Sequence, residues 1–216
     1  MAIVTDIANG KREGQFDVIV DGEPSATLTA ESVQTLRLRV GLSLDDATCA
    51  RIQEEAQALR TMERALNMLA FRARSVRELR LGLLRKGEPA AAVERAVERL
   101  TQSGLLNDAE YARQLARSKL VSRGFSRRRL QTELFRRGVE RGVADEAIEE
   151  VLADESVDES AMVEQLARKK LRTLTGLDSA TRRRRLYAFL SRRGYEPDAV
   201  RQATERVLKG EDEDGE

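Results

Sequence analysis

The residues with the clearest chemical potential in this chain are arginines. Arg182, Arg183, Arg184 and Arg185 stand consecutively, and Arg127, Arg128 and Arg129 do the same upstream. A guanidinium presents a planar fork of donors that matches a phosphate or a carboxylate. Only six of the 38 basic residues are Lys (11, 86, 119, 169, 170 and 209). That preference fits recognition, and it fits a GC-rich coding sequence equally.

The charges are laid out in blocks. Between Tyr111 and Arg141, the bases Arg113, Arg117, Lys119, Arg123, Arg127, Arg128, Arg129, Arg136, Arg137 and Arg141 face only Glu133 and Glu140. Residues 143–164 then carry acids and no base. From Leu166 to Arg193, Arg168, Lys169, Lys170, Arg172, Arg182, Arg183, Arg184, Arg185, Arg192 and Arg193 face Asp178 alone. The formal net charge of +1 conceals this segregation. One reading is intramolecular: acidic helices neutralise basic ones at the surface, where each exposed pair is worth little. The other is a basic surface for a polyanion or an acidic partner. The run Arg182 to Arg185 favours the second, because four consecutive arginines circle a helix and cannot all find local carboxylates.

Catalytic chemistry is poorly supplied. There is no His and a single Cys, Cys49, so the usual zinc and nucleophile–base arrangements are unavailable. Neither GxxxxGK[ST] nor GxGxxG occurs. Acidic pairs such as Glu149-Glu150 and Asp154-Glu155 read as a solvated helix face. No catalytic, cofactor or metal site is expected. A lone Cys fits a reducing compartment, and neither a long apolar run nor an apolar N-terminal segment is present. A cytoplasmic protein without a membrane partner is expected, as a monomer unless the strand-rich N-terminus pairs through its edge.

The elements that must carry these arginines repeat. Leu79, Leu83 and Gly87 stand four apart, as do Leu130, Leu134 and Gly138, and Leu186, Leu190 and Gly194. Two basic residues precede each glycine. Leucines at i and i+4 share one helical face, and a glycine after such a run is the expected helix stop. Each copy predicts a short helix with an apolar seam and a cationic last turn, and three copies point to an internal repeat. With 35% charged and 4% aromatic residues, the composition favours a helical array over one large core.

In chain order, residues 1–62 form a lead-in. MAIVTDIA, QFDVIVDG and SATLT alternate as strands, with turns at Asn9-Gly10 and Asp21-Gly22. A short helix is predicted from Glu31 to Val40, followed by one capped by Ser43 and running toward Leu69. Three-helix repeats follow over 63–106, 107–156 and 157–209. Their helices are expected at 63–73, 76–86 and 89–102; 107–122, 126–137 and 143–153; and 158–173, 180–193 and 197–209. Val93 and Leu100 are matched by Val200 and Val207 at the same offsets from their glycines. Ile148 stands ten residues after Gly138, which implies a four-residue insertion in the middle copy. Phe71, Tyr111, Phe125, Phe135, Tyr187, Phe189 and Tyr195 are spaced for packing and form no stacking platform. The acidic tail 210–216 is expected to be disordered. The fold class is mainly α: tandem three-helix, helix-turn-helix-like repeats in an elongated array, with a small N-terminal antiparallel β element.

At this point the residues carry a resemblance. ALNMLAFRARSVRELRLGLLRKG, AVERLTQSGLLNDAEYARQLARSKL and SRGFSRRRLQTELFRRGV resemble the RecX family, regulators of the RecA recombinase. TDIANGKREGQFDVIVDGEPSATLTAESV and the GLSLDD turn are similar to the strand-rich lead-in of some members. The chain departs from the pattern in its charged tail and in TLTGLDSATRRRR, which lengthens the space between Leu171 and Leu186. The resemblance implies tandem three-helix units, and a non-enzymatic modulator that binds the RecA nucleoprotein filament. It implies restraint of recombinase, ATPase and coprotease activities in DNA repair, recombination and the SOS response. The alternative is a stand-alone protein that binds single- or double-stranded DNA through helix-turn-helix-like units.

Overall fold

The computed structural model describes residues 2–214, with side chains over 2–210. The chain divides into two compact units, Met1–Leu106 and Asn107–Glu216.

In the first unit, β1 (Ala2–Asn9), β2 (Gln15–Val20) and β3 (Glu23–Thr29) form an antiparallel meander. A short strand that sequence reasoning missed, β4 (Ser43–Leu44), pairs with the start of β1, so the sheet order is β3-β2-β1-β4. Asp21 and Gly22 have φ of 50° and 84°, the left-handed pair that a two-residue hairpin needs. Asn9-Gly10 makes no such turn. Asn9 ends β1, residues 10–14 form a longer loop, and the left-handed residue is Gly14.

Helix α1 (Ala30–Thr35) is shorter than the predicted 31–40. Arg37 takes φ 51°, and Leu36 and Leu38 both turn into the core. Two buried residues at a spacing of two do not fit a helix. The next helix, α2 (Asp46–Phe71), is capped by Asp45, whose carboxylate accepts the Thr48 N–H at 2.8 Å. Ser43 cannot serve as the cap because it is committed to β4. The 26-residue α2 crosses the expected 62/63 boundary without a break. Its first half packs Ile52 and Ala56 with Val4, Val18 and Leu28 of the sheet. Its second half packs Ala65 and Met68 with Leu79 and Leu83 of α3 (Val76–Arg85) and Val93, Val97 and Leu100 of α4 (Ala90–Gln102). Ser75 and Glu78 close a reciprocal capping box at the start of α3.

The second unit holds α5 (Asp108–Arg123), α6 (Arg127–Arg136), α7 (Arg141–Asp154), α8 (Glu159–Leu171), α9 (Ser179–Arg192) and α10 (Pro197–Asp214). One core joins α5, α6 and α7, and another joins α8, α9 and α10. The paired leucines of all three copies are fully buried. Gly87, Gly138 and Gly194 have φ of 82°, 82° and 87°, the left-handed stop that the pattern predicts. The following residues, Glu88, Val139 and Tyr195, are buried in turn.

Several expectations need correction. No insertion exists in the middle copy. Ala144 and Val151 are buried at the offsets of Val93 and Leu100, and Ala144 was overlooked because it is small. The long segment before Leu186 is absorbed by its own repeat. Leu174 is buried, Leu177 packs on the same core, and α9 has 14 residues where α3 and α6 have 10. The tail, expected to be disordered, is helical as far as Asp214, since an existing helix gains one hydrogen bond for each residue added. Gly215 and Glu216 lie outside the described residues. Of the aromatics expected to pack, Phe71 and Phe135 are 86% and 70% exposed and Tyr187 is 42% exposed. Phe135 follows the buried Leu134 and so leaves the apolar seam, while Phe71 is the last residue of α2.

Candidate polyanion-binding surface

The basic residues of the second unit sort into two groups. The first is neutralised inside the unit. Arg113 pairs with Glu110 and with Glu150 of α7, both at 3.1 Å. Arg117 reaches Asp154 at 3.0 Å and Glu155 at 2.8 Å. Arg127 meets Glu149 at 2.5 Å, Arg128 meets Glu196 at 3.1 Å, and Arg168 stands 4.0 Å from Glu164. Hydrogen bonds that Arg113 donates to Glu110 and then to Glu150 raise its pKa. The pairs of Arg113 and Arg117 run from α5 to the acidic α7 and its C-cap, the arrangement that the intramolecular reading of the charge blocks describes.

Arg137 is held most completely. Its guanidinium donates to Glu133 at 2.9 Å and to the Tyr111 hydroxyl at 3.0 Å. That hydrogen bond, opposed by partial burial, leaves the Glu133 carboxyl below its usual range. Arg182, in the first turn of α9, is half-buried.

The second group has no carboxylate within 4 Å among the described residues. It comprises Lys119, Arg123, Arg129, Arg136, Lys169, Lys170, Arg172, Arg183, Arg184, Arg185, Arg192 and Arg193. Helix α9 carries Arg183 to Arg185 on the turn before Leu186, all three exposed. They stand at the same offsets before Leu186 as Arg127, Arg128 and Arg129 before Leu130.

A tight junction within the unit joins cations that are distant in sequence. The Ser126 N–H donates to the Arg193 carbonyl at 3.2 Å, and the Tyr195 hydroxyl donates to the Gly124 carbonyl at 3.3 Å. A Cβ on Gly194 would stand 2.7 Å from the Arg129 Cβ and 2.8 Å from the Ser126 Oγ. The end of α9 therefore abuts the start of α6, with the end of α5 beside it. Burial pushes the Tyr195 hydroxyl pKa up to about 12. Burial also lowers the pKa of Arg193, and the neighbouring Arg123 charge adds to that effect. Lys170 and Arg193 both lie over the Phe189 ring, at 5.7 and 4.5 Å from its centre, and Arg129 lies 5.5 Å from the centre of Phe125.

Phe189 is the participant that sequence reasoning assigned to the core alone. The signal was available: counted back from the glycine of each repeat, Phe189 occupies the position of Glu133. No helix among the described residues is long and apolar enough to cross a membrane.

Comparison with known proteins follows the same segmentation. Family models of RecX match residues 62–100 as the first three-helix domain, 107–152 as the second and 158–204 as the third. The Regulatory protein RecX of Amycolatopsis mediterranei (strain U-32) is 38% identical over 146 residues, covering 68% of this chain and 82% of that protein. Its counterpart from Streptomyces coelicolor is 34% identical over 163 residues, covering 76% and 82%. A crystal structure of regulatory protein RecX shares the fold with a TM-score of 0.77 at 20% identity, over 95% of this chain and 100% of that one. RecX from Lactobacillus salivarius gives 0.58 at 16% identity, over 70% and 96%.

Proposed function

The chain belongs to the RecX family of regulatory proteins, and on that premise we propose that it binds the RecA nucleoprotein filament in the cytoplasm and restrains its recombinase, ATPase and coprotease activities. The observation that carries this reading is the set of exposed cations without carboxylate partners, Arg183, Arg184 and Arg185 foremost. A soluble protein gains nothing for its own fold by holding three unpaired guanidiniums on one turn. Facing an acidic protein surface or DNA phosphates, each can form charge-assisted hydrogen bonds. The repeats over 107–156 and 157–209 each offer such a patch, and two weak contacts along one lattice multiply through effective concentration.

The test is the DNA-dependent ATPase of RecA with and without the protein. Inhibition by the wild-type chain and its loss in Arg183→Glu/Arg184→Glu, with helicity retained, is the expected result. An unaffected RecA ATPase refutes the proposal. A second reading, DNA binding without RecA, draws on the exposed Phe135 beside Arg136, since an open aromatic ring among cations can stack on a base. It requires tight binding to DNA alone, with affinity falling steeply as salt rises.

A further inference from the structure

We propose that the cleft bounded by the last turn of α5, by α8 and by the last turn of α9 is a phosphate site that takes the phosphodiester backbone of a nucleic-acid strand. The inference deepens the function proposed above by naming the polyanion. It rests on that reading only for where such a strand is met.

The cleft has a volume of about 410 Å³ and is lined by Arg123, Lys169, Lys170 and Arg193, with no Asp or Glu among its lining residues. Comparison of the repeats explains how it arises. Arg137 and Arg193 occupy the same position, immediately before the glycine. In the middle copy, Arg137 is neutralised by Glu133 and hydrogen-bonded by Tyr111. In the third copy the residue equivalent to Glu133 is Phe189. The residue equivalent to Tyr111, four after the helix cap, is Met162. Both replacements line the cleft. The arginine has been kept while both of its partners have been exchanged for apolar groups.

The consequence is visible at Arg193. Its Nη1 is buried without a hydrogen-bond partner, although its plane rests on Phe189. A buried guanidinium N–H left unmade costs free energy, and Arg123 brings a like charge toward it. An oxyanion in the cleft lies among the four cations, and a rotation of the Arg193 guanidinium on the Phe189 ring would bring Nη1 to it and remove both penalties. The apolar floor of Met162, Leu166 and Phe189 strengthens such contacts by lowering the local dielectric.

A strand is favoured over a free phosphate ester because the cations continue. Across the Gly194 junction, Arg128, Arg129 and Arg192 line an adjoining groove. The Nε of Arg129 is again buried without a partner, while Arg128 is paired with Glu196. Successive phosphates of one backbone can occupy the two places; a single ester fills one.

The test uses the full chain and NMR of the arginine side-chain Nε–H groups. Sodium phosphate is titrated against sodium chloride at matched ionic strength. Saturable shifts at Arg123 and Arg193 are expected, with Arg183 and Arg184 moving little. An oligo-dT strand should displace phosphate from the same resonances. Arg123→Gln/Lys169→Gln removes two exposed side chains that have no carboxylate partner, so circular dichroism should be unchanged. Phosphate affinity should fall about tenfold or more. Non-saturating shifts of equal size at Arg183, Arg184 and Arg193 indicate screening alone and overturn the proposal. So does an oligonucleotide that fails to compete. RecA ATPase is read separately with the wild-type chain. No effect on RecA beside intact phosphate binding refutes the regulatory reading and leaves the cleft standing. Inhibition of RecA without phosphate binding does the reverse.

Discussion

Gly194 and Gly87 occupy equivalent positions in two repeats, yet the structure sets very different costs on filling them with a methyl group. Both are left-handed, with φ of 87° and 82°. A non-glycine residue in that region loses about 1–2 kcal/mol. Nothing lies within 4 Å of a Cβ built on Gly87, so Gly87→Ala should cost about that and no more. At Gly194 the same Cβ stands 2.7 Å from the Arg129 Cβ, 2.8 Å from the Ser126 Oγ and 3.1 Å from the Arg129 backbone nitrogen. Two of these atoms are fixed by the backbone of α6, so the junction itself must open. Overpacking of this kind adds about 1–3 kcal/mol. Displacement also strains the hydrogen bond from Ser126 to the Arg193 carbonyl, worth about 1 kcal/mol. Gly194→Ala should therefore cost roughly 3–6 kcal/mol in total. The assay follows from composition. There is no Trp, and Tyr111, Tyr187 and Tyr195 all lie in the second unit. Urea unfolding followed by tyrosine fluorescence thus reports on that unit, while circular dichroism reports on both. Gly194→Ala should lower the fluorescence midpoint sharply. Gly87→Ala should leave it in place and move only part of the dichroism transition. Equal losses for the two variants would refute the reasoning, since the difference rests wholly on the close approach at the junction.

Two further expectations concern carboxylates. Glu88 is buried and accepts hydrogen bonds from Gln57 at 2.7 Å, from the fully buried Thr61 hydroxyl and from Arg64. Glu88→Ala leaves the buried Thr61 O–H without its acceptor while the half-exposed Arg64 regains water, so the first unit should lose about 2–3 kcal/mol, seen by dichroism with the tyrosine transition unmoved. The pKa of Glu133 is depressed in the fold, so its contribution is fully present above the ordinary carboxylate value of 4.5 and is lost as pH falls through its lower folded value. Acid titration of the second unit should become shallower in Glu133→Gln. An unchanged acid profile would remove the Glu133–Arg137 pair from the stability of that repeat.

Much of the fold was legible because each repeat states its helix in three residues. A leucine, a second leucine and a glycine at intervals of four define the seam and the stop, and the bases before the glycine fall in the last turn. Less legible were features that depend on a partner distant in sequence. Ser43 has the chemistry of a cap, but pairing with Ile3 holds it in a strand, and Asp45 takes over. Ala144 is too small to register as an apolar marker. The charged surface was legible as a set and illegible residue by residue. Arg137, which is neutralised, and Arg193, which is not, stand in the same pattern of a basic pair before a glycine. The distinction lies in Glu133 and Phe189, one helical turn away, and in helices that the chain reaches only after other elements. Phe135 and Phe71 were misread for the opposite reason: helical spacing places an apolar residue on a face, and only the neighbours decide whether that face is covered.

Helix α2 serves two masters, the sheet along its first half and the first three-helix repeat along its second. At 1.5 Å per residue its 26 residues reach about 39 Å. The sheet alone is small, and the first repeat without the last turns of α2 has two helices and no third wall for its core. Neither half can melt without withdrawing a face from the other. The strand-rich segment is thus an anchor for the repeat beside it and not an appendage. Substitutions at Val18 or Leu28, deep in the sheet, should slow amide exchange nowhere and hasten it as far away as α3 and α4. In the second unit each repeat closes its own core with three helices of its own, so exchange there can differ from one repeat to the next.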